Sequence, residues 1–127
     1  MPTVLIIEDD RRIAKMLRRR LKKAGYDVQI AENGKCGIEK LREYQPDLTL
    51  MDMHMPVMDG YEATRFLRHH GYTGTIVALT ASAMTHDADK SFDAGCDYFI
   101  PKPVGLDFEQ QLHNILEGQH GKDSDRR

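Results

Sequence analysis

Residues 4–31 read VLIIEDDRRIAKMLRRRLKKAGYDVQIA, and this stretch decides the fold. Its first four residues, Val4–Ile7, form a continuous apolar run that is typical of a strand buried on both faces. The next residues predict a helix that ends before Gly25 and carries one apolar stripe, formed by Ile13, Leu17, Leu21 and Ala24. A second strand is predicted over Asp27–Ala31. The stretch therefore predicts a strand–helix–strand unit.

The same alternation of strands and helices continues along the rest of the sequence. Further strands are predicted at Leu48–Met51, Thr75–Leu79 and Tyr98–Ile100. Further helices are predicted at Lys35–Tyr44, Tyr61–His70 and Asp87–Ala94, and a last helix carries Val104, Phe108, Leu112, Ile115 and Leu116 at helical spacing. Successive β-then-α units predict an α/β fold, in which a parallel sheet lies between two layers of helices.

Length and composition predict one domain. The sequence has 127 residues, of which 40% are hydrophobic and 30% charged, and we expect a domain over residues 1–118 with a polar tail over 119–127. No apolar run reaches the roughly 18–20 residues of a membrane span, and no leader peptide is recognisable. Cys36 and Cys96 form no CxxC pair, so both are expected to be reduced. We therefore expect a cytoplasmic protein rather than a secreted or membrane protein.

The charge is distributed unevenly, although the formal net charge is only −2. Residues 11–23 carry eight basic side chains and no acidic one, so this segment is +8 and the remainder sums to −10. Such a helix could contact phosphate or an acidic partner. A solvated helix face is the favoured interpretation, because no aromatic interleaving or nucleic-acid motif accompanies the charges. We expect no direct nucleic-acid partner and no membrane partner.

Polar residues follow several of the predicted strands at their carboxyl ends, where parallel sheets bind ligands. They are Glu8, Asp9, Asp10, Asp52, Thr80 and Lys102. Convergence of Glu8, Asp9 and Asp52 would be unfavourable without a cation to neutralise them. Oxygen ligands without His or Cys favour Mg²⁺, with Mn²⁺ as an alternative ion, and a backbone carbonyl after Asp52 could complete the shell.

The same residues are suited to receiving a phosphoryl group. The Asp52 carboxylate can act as a nucleophile and form an acyl phosphate. The metal and Lys102 would neutralise charge on the transferred oxygens, while Thr80 would form a hydrogen bond with one of them. The sequence contains neither GxxxxGK[ST] nor GxGxxG, so the donor is expected to be another protein or a small activated phosphate.

Four motifs in a fixed order resemble the response-regulator receiver domain of two-component and phosphorelay systems over about residues 3–117. They are IIEDD (6–10), LMDMHMPVMDG (50–60), ALTASAM (78–84) and AGCDYFIPKP (94–103). The resemblance implies a flavodoxin-like (βα)5 three-layer fold with strand order 2-1-3-4-5. The wording of ALTASAM resembles receivers of hybrid kinases and phosphorelays more than those of transcription factors.

The resemblance also implies roles for individual residues. Asp52 is implied as the phosphoacceptor, supplied by a histidine kinase or a His phosphotransfer domain. Asp9 is implied to bind Mg²⁺ directly, Glu8 through water, and His54 through its backbone carbonyl. The implied switch residues are Thr80 and Phe99, Lys102 is the implied phosphate-binding lysine, and Lys102–Pro103 is commonly cis in this family.

Some positions depart from the commonest family pattern. Glu8 stands where Asp is usual and is one methylene longer. Phe99 replaces a frequent Tyr, so no ring hydroxyl is available to report the switch. By family analogy, His54 and Ser82 tune the lifetime of the acyl phosphate.

The resemblance thus implies a phosphoacceptor that switches a protein-binding face, formed by the fourth helix, fifth strand and fifth helix, rather than a turnover enzyme. The basic first helix is the candidate docking surface for the donor. We expect a monomer or weak dimer. The residues after the last helix are too few for an effector module, so we expect a diffusible signalling protein, a phosphorelay intermediate or the receiver piece of a longer chain. The alternatives are a small Mg²⁺-dependent phosphohydrolase and a pseudo-receiver that binds partners without phosphorylation.

Overall fold

The computed structural model describes residues 2–81 and 85–125, in which strands and helices alternate along the chain. The strands are β1 (Thr3–Ile7), β2 (Asp27–Ala31), β3 (Leu48–Asp52), β4 (Ile76–Thr80) and β5 (Tyr98–Pro101). The helices are α1 (Arg11–Lys23), α2 (Gly34–Tyr44), α3 (Gly60–His69), α4 (Thr85–Ala94) and α5 (Phe108–Asp125). No helix in these two ranges is long and apolar enough to cross a membrane.

The strands form one parallel sheet in the order β2-β1-β3-β4-β5, which confirms the predicted flavodoxin-like topology. In register, Ile7 of β1 lies beside Met51 of β3, and Thr80 of β4 lies beside Pro101 of β5. The carboxyl ends of β1, β3, β4 and β5 therefore meet at one edge of the sheet. The order in which successive strands are added to the sheet reverses between β1 and β3, and such a switch point is where these sheets bind ligands.

Two apolar clusters, one on each face, hold the helices to the sheet. On one face, residues of α1 and α5 pack against the strands: Leu17, Leu21, Phe108 and Leu112 with Val4, Ile6, Leu50 and Val77. On the other, α2, α3 and α4 contribute Ile38, Leu41, Leu67 and Ala94 against Leu5, Ile7, Met51 and Ala78. Burying one such large side chain stabilises the fold by roughly 1.5–3 kcal/mol. Successive residues of β1 point alternately into the two clusters, which explains why the strand is apolar throughout.

Three helix boundaries differ from the predictions by two residues or more. The last helix begins at Phe108, so the prediction that Val104 lies within it is wrong. Pro103 and Gly105 have low helix propensity, and the chain between them and Phe108 forms a turn instead. The α5 backbone continues to Asp125, beyond Gly118, and α4 begins at Thr85 rather than Asp87. Ser82 lies outside the described residues.

Candidate functional site

The carboxylates predicted to converge do lie together. Glu8 directly follows β1 and Asp52 ends β3, and both side chains are almost completely buried, with 2% and 1% of their residue surface exposed. Asp9 is exposed beside them. One carboxylate oxygen from each of the three residues lies within 4.8 Å of the others. The hydrogen-bonded pairing of β1 with β3 produces this proximity.

Lys102, which directly follows β5, joins this acidic cluster. Its Nζ lies 3.1 Å from Oε1 of Glu8 and 3.3 Å from Oδ1 of Asp52, so one ammonium bridges the two buried carboxylates. The Lys102 backbone N–H donates to the Thr80 carbonyl over 2.7 Å, which ties the lysine to the end of β4. The following Lys102–Pro103 peptide is cis, as the resemblance implies.

Thr80 itself ends β4 and is completely buried. Its β4 neighbour Leu79 accepts a hydrogen bond from the Met53 backbone N–H, which joins the residue after Asp52 to this strand. The sequence-predicted set of Glu8, Asp9, Asp52, Thr80 and Lys102 therefore borders one edge of the sheet.

The electrostatics of the cluster favour an added cation. Burial, followed by the neighbouring Asp52 carboxyl, raises the pKa of Glu8 to about 7, although the hydrogen bond from Lys102 acts in the opposite direction. For Lys102, burial lowers the pKa, but the hydrogen bond with Glu8 and the charge of Asp52 outweigh burial and hold it above its ordinary value. Three carboxylates thus face one ammonium, a formal excess of two negative charges.

The donor set fits Mg²⁺ on its chemistry, because it consists of carboxylate oxygens without nitrogen or sulfur ligands. The His54 backbone N–H donates to Asp52 Oδ1 over 3.2 Å, so the chain turns sharply over the carboxylate. The His54 side chain is exposed, with its ring centroid 5.9 Å from that of Tyr61. Glu8 is fixed in a similar way, since the Asp10 backbone N–H donates to its Oε2 over 3.2 Å.

Gly60 is a positioning residue whose importance the sequence analysis missed. It begins α3 and its N–H donates to the Met53 carbonyl over 3.2 Å. A Cβ at this position would lie 2.4 Å from the Asp52 carbonyl oxygen and 2.7 Å from Met53 Cα. Asp59 before it caps α3 in a capping box with Glu62. The loop from Asp52 can return this closely to β3 because position 60 has no side chain.

Phe99 lies on β5, half-buried, with its ring packed against the core cluster of α2, α3 and α4. The ring of Phe92 on α4 meets it edge to face, with 6.0 Å between the centroids. Phe92 is 45% exposed. The sequence analysis did not identify Phe92, because helical spacing alone does not show that its ring reaches β5. The two rings connect α4 to the predicted switch position.

Comparisons with known proteins agree with this geometry. The sequence model of the family described as response regulator receiver domain matches residues 4–117. The chain is 36% identical over 104 residues to the response regulator MprA of Mycolicibacterium vanbaalenii, which covers 82% of this chain and 45% of that protein. It therefore spans somewhat less than half of this relative's length.

Solved structures show the same fold. A putative response regulator from Chloroflexus aurantiacus is 31% identical with a TM-score of 0.85, covering 91% of this chain and 98% of that one. The signal receiver domain of a signal transduction histidine kinase from Syntrophus aciditrophicus is 30% identical with a TM-score of 0.83, covering 93% and 92%. Receivers described as regulators and as parts of kinases are thus both similar to this chain.

Proposed function

The chain belongs to the response regulator receiver domain family, and on that premise we propose that Asp52 accepts a phosphoryl group from a phosphohistidine donor. The observation that supports this most strongly is the contact of Lys102 Nζ with both Glu8 and Asp52 at the carboxyl edge of the sheet. A lysine so placed lies beside any group attached to the Asp52 carboxylate. The donor is a histidine kinase or a His phosphotransfer domain, and α1 is our candidate docking surface for it.

In the proposed transfer, an oxygen of Asp52 attacks phosphorus as the bond from phosphorus to the donor imidazole breaks. The electron pair of that bond returns to the imidazole, and the product on this chain is an acyl phosphate. Lys102 would neutralise one transferred oxygen by moving from the carboxylates to the phosphoryl group. The hydroxyl of Thr80 would donate a hydrogen bond to another oxygen.

We propose that Glu8, Asp9, Asp52 and the backbone carbonyl of His54 hold Mg²⁺, with Mn²⁺ as a substitute. When bound, the ion supplies charge neutralisation for the phosphoryl oxygens. The residues themselves supply the oxygen donors and the excess negative charge that retains a divalent cation. Asp9 supplies its donor from the exposed side of the cluster, where the ion can enter.

Phosphorylation would switch the face formed by α4, β5 and α5. A hydrogen bond from Thr80 to the phosphoryl group would draw the end of β4 toward Asp52 and change the space available to Phe99. Because Phe92 contacts the Phe99 ring, a movement of that ring would be transmitted to α4. An output protein that prefers one state of this face would receive the signal, with this chain a monomer or weak dimer.

We propose that the chain is a signalling module and not a turnover enzyme. A phosphohydrolase needs a second acid close after the nucleophile, and position 54 is His. A pseudo-receiver usually lacks part of the acid, hydroxyl and lysine set, and this chain has all of it. We further propose the cytoplasm as its location, and residues 1–118 as the receiver domain, with 119–127 as a polar extension.

Two separate measurements on the purified protein test the proposal. The ¹⁵N-labelled protein is titrated with beryllofluoride and Mg²⁺, and phosphate release is followed separately during incubation with a small acyl phosphate. We expect amide shifts at Phe92 and Phe99 that Asp52→Asn abolishes and Thr80→Ala reduces, and phosphate release that does not exceed slow decay of the adduct. Absence of any Mg²⁺-dependent shift would support the pseudo-receiver, and rapid continuous release would support the hydrolase.

A further inference from the structure

A cavity lies at the β2 edge of the sheet, away from the face of α4, β5 and α5. Its volume is about 400 Å³, within the size range of small-molecule sites. It is lined from α1 by Arg11, Lys15 and Arg18, and from α2 by Lys40. Because β2 is an edge strand, the cavity is open to solvent on its outer side.

Three of these four cations lie on α1 and the fourth lies on α2. In the part of the chain that the structure describes, ion pairs within 4.0 Å form at other residues and not at these four. Arg20, by contrast, is paired with Glu109 over 2.6 Å on the opposite side of α1. Lys40 is half-buried, with its ammonium 5.6 Å from the centroid of the Tyr44 ring. The cations are therefore arranged on this side without the neutralisation that Arg20 has.

Two acids also line the cavity, and together they offset only part of its positive charge. Glu8 is held by Lys102 at 3.1 Å, and Glu32 is an exposed residue that directly follows β2. Four cations against two carboxylates leave a formal excess of two positive charges. Like charges three and four positions apart, as at 11, 15 and 18, destabilise a helix, and cations in the first turn oppose its dipole. An anion bound among them would relieve both effects.

The remaining wall of the cavity is apolar. Ala14 and Ala31 are buried at its floor, and Ile30 and Cys36 are half-buried beside them. A site that combines a cationic rim with an apolar floor matches a ligand that has a polyanionic end and a flat organic body.

We infer that this cavity binds a polyphosphate anion, either free or as part of a nucleotide. The phosphates contact Arg11, Lys15, Arg18 and Lys40, and the base of a nucleotide lies on the apolar floor. Glu8 lines the cavity and also belongs to the acidic cluster, so ligand binding and the phosphoacceptor site share a wall. The site is separate from Asp52, whose surroundings are acidic and repel a phosphate when no divalent cation is present.

The test is a titration of the full chain with inorganic pyrophosphate and with ATP, in EDTA at constant ionic strength, followed by amide shifts. Lys40→Gln and Arg18→Gln remove one charge each from the cavity. Arg12→Gln and Lys23→Gln remove the same charge from exposed positions of α1 that do not line it. We expect shifts at Ile30 and Ala31, and a loss of affinity of about tenfold in each cavity variant, equivalent to 1.4 kcal/mol. The control variants should lose about twofold or less.

Each outcome decides the inference. Equal affinities for the two probes support a site for the phosphates alone, and tighter binding of ATP supports a nucleotide on the apolar floor. Equal losses in the cavity and control variants would show only diffuse attraction to α1 and would overturn the site. A dissociation constant weaker than about 5 mM for both probes would also overturn it.

Discussion

Replacing Gly60 with alanine should slow the phosphorylation of Asp52, because the added Cβ displaces Asp52 without changing its charge. The added Cβ would lie 2.4 Å from the Asp52 carbonyl oxygen, and also 2.7 Å from both Cα and Sδ of Met53. The Met53 sulfur can move, since it ends a flexible side chain. The backbone atoms of Asp52 and Met53 cannot move alone, because the Met53 N–H donates a hydrogen bond to the Leu79 carbonyl and Asp52 pairs with Leu79 in the sheet.

The size of the effect follows from these contacts. An ordinary van der Waals contact begins near 3.4 Å, so Asp52 and the start of α3 must separate by about 1 Å. Overpacking of this kind typically costs about 1–3 kcal/mol, and the better helix propensity of alanine offsets less than about 1 kcal/mol of it. We therefore expect a loss of about 1–2 kcal/mol in the free energy of unfolding. A displacement of about 1 Å at a reacting group can reduce its rate about a hundredfold.

The assay compares Gly60→Ala with Gly118→Ala, a matched control in α5 where no atom lies within 4 Å of the added Cβ. Urea unfolding in EDTA gives the stability, and adduct formation from a small acyl phosphate with Mg²⁺ gives the rate. We expect the control to be neutral or stabilised by up to about 1 kcal/mol, with an unchanged rate. Gly60→Ala should lose stability and should be phosphorylated between about tenfold and a hundredfold more slowly.

Wild-type stability together with a wild-type rate in Gly60→Ala would refute the reasoning. It would mean that α3 can retreat without moving Asp52. A loss of stability with an unchanged phosphorylation rate would show that Gly60 is needed for packing and not for the position of Asp52.

Three further predictions concern stability. Val57 has φ 72° in an exposed position, so Val57→Gly should stabilise the protein by about 1 kcal/mol in urea unfolding, and an unchanged or lower stability would contradict the inferred strain. Arg68 donates to three backbone carbonyls and to Asp97, so Arg68→Met should destabilise by about 3 kcal/mol, and a loss below about 1 kcal/mol would show that this network is dispensable. The hydrogen bond from Arg20 lowers the pKa of Glu109, so the pair stabilises the fold fully above about pH 4.5 and loses this contribution as the pH falls further. Glu109→Gln should therefore reduce the dependence of the free energy of unfolding on pH below about pH 4.5. An unchanged pH dependence in this variant would show that the pair does not cause it.

The sheet could be predicted from the sequence because its strands are nearly continuous apolar runs. Val4–Ile7 and the residues of β3 and β4 are buried on both faces, and this pattern is typical of central parallel strands. Parallel order then places the residues that follow the strands at one edge. The convergence of Glu8, Asp9 and Asp52 was predictable for that reason.

Other features depend on packing that no local pattern encodes. The start of α5 at Phe108 reflects the turn after Pro103, whereas helical spacing had extended the apolar stripe back to Val104. The edge-to-face contact of Phe92 with Phe99 joins two elements through side-chain directions that spacing does not give. The cationic cavity joins α1 to α2 around the edge of the sheet, so the charges of residues 11–23 alone did not reveal Lys40 as part of it.

The most direct measurement is the mass of the intact chain, with peptide mapping, after incubation with Mg²⁺ and a small acyl phosphate. The proposed function predicts one labile phosphoryl group per chain, on the peptide that contains Asp52. The adduct should be absent in Asp52→Asn and absent when EDTA removes the metal. An adduct on a different residue, or an adduct that survives EDTA or Asp52→Asn, would contradict the central claim.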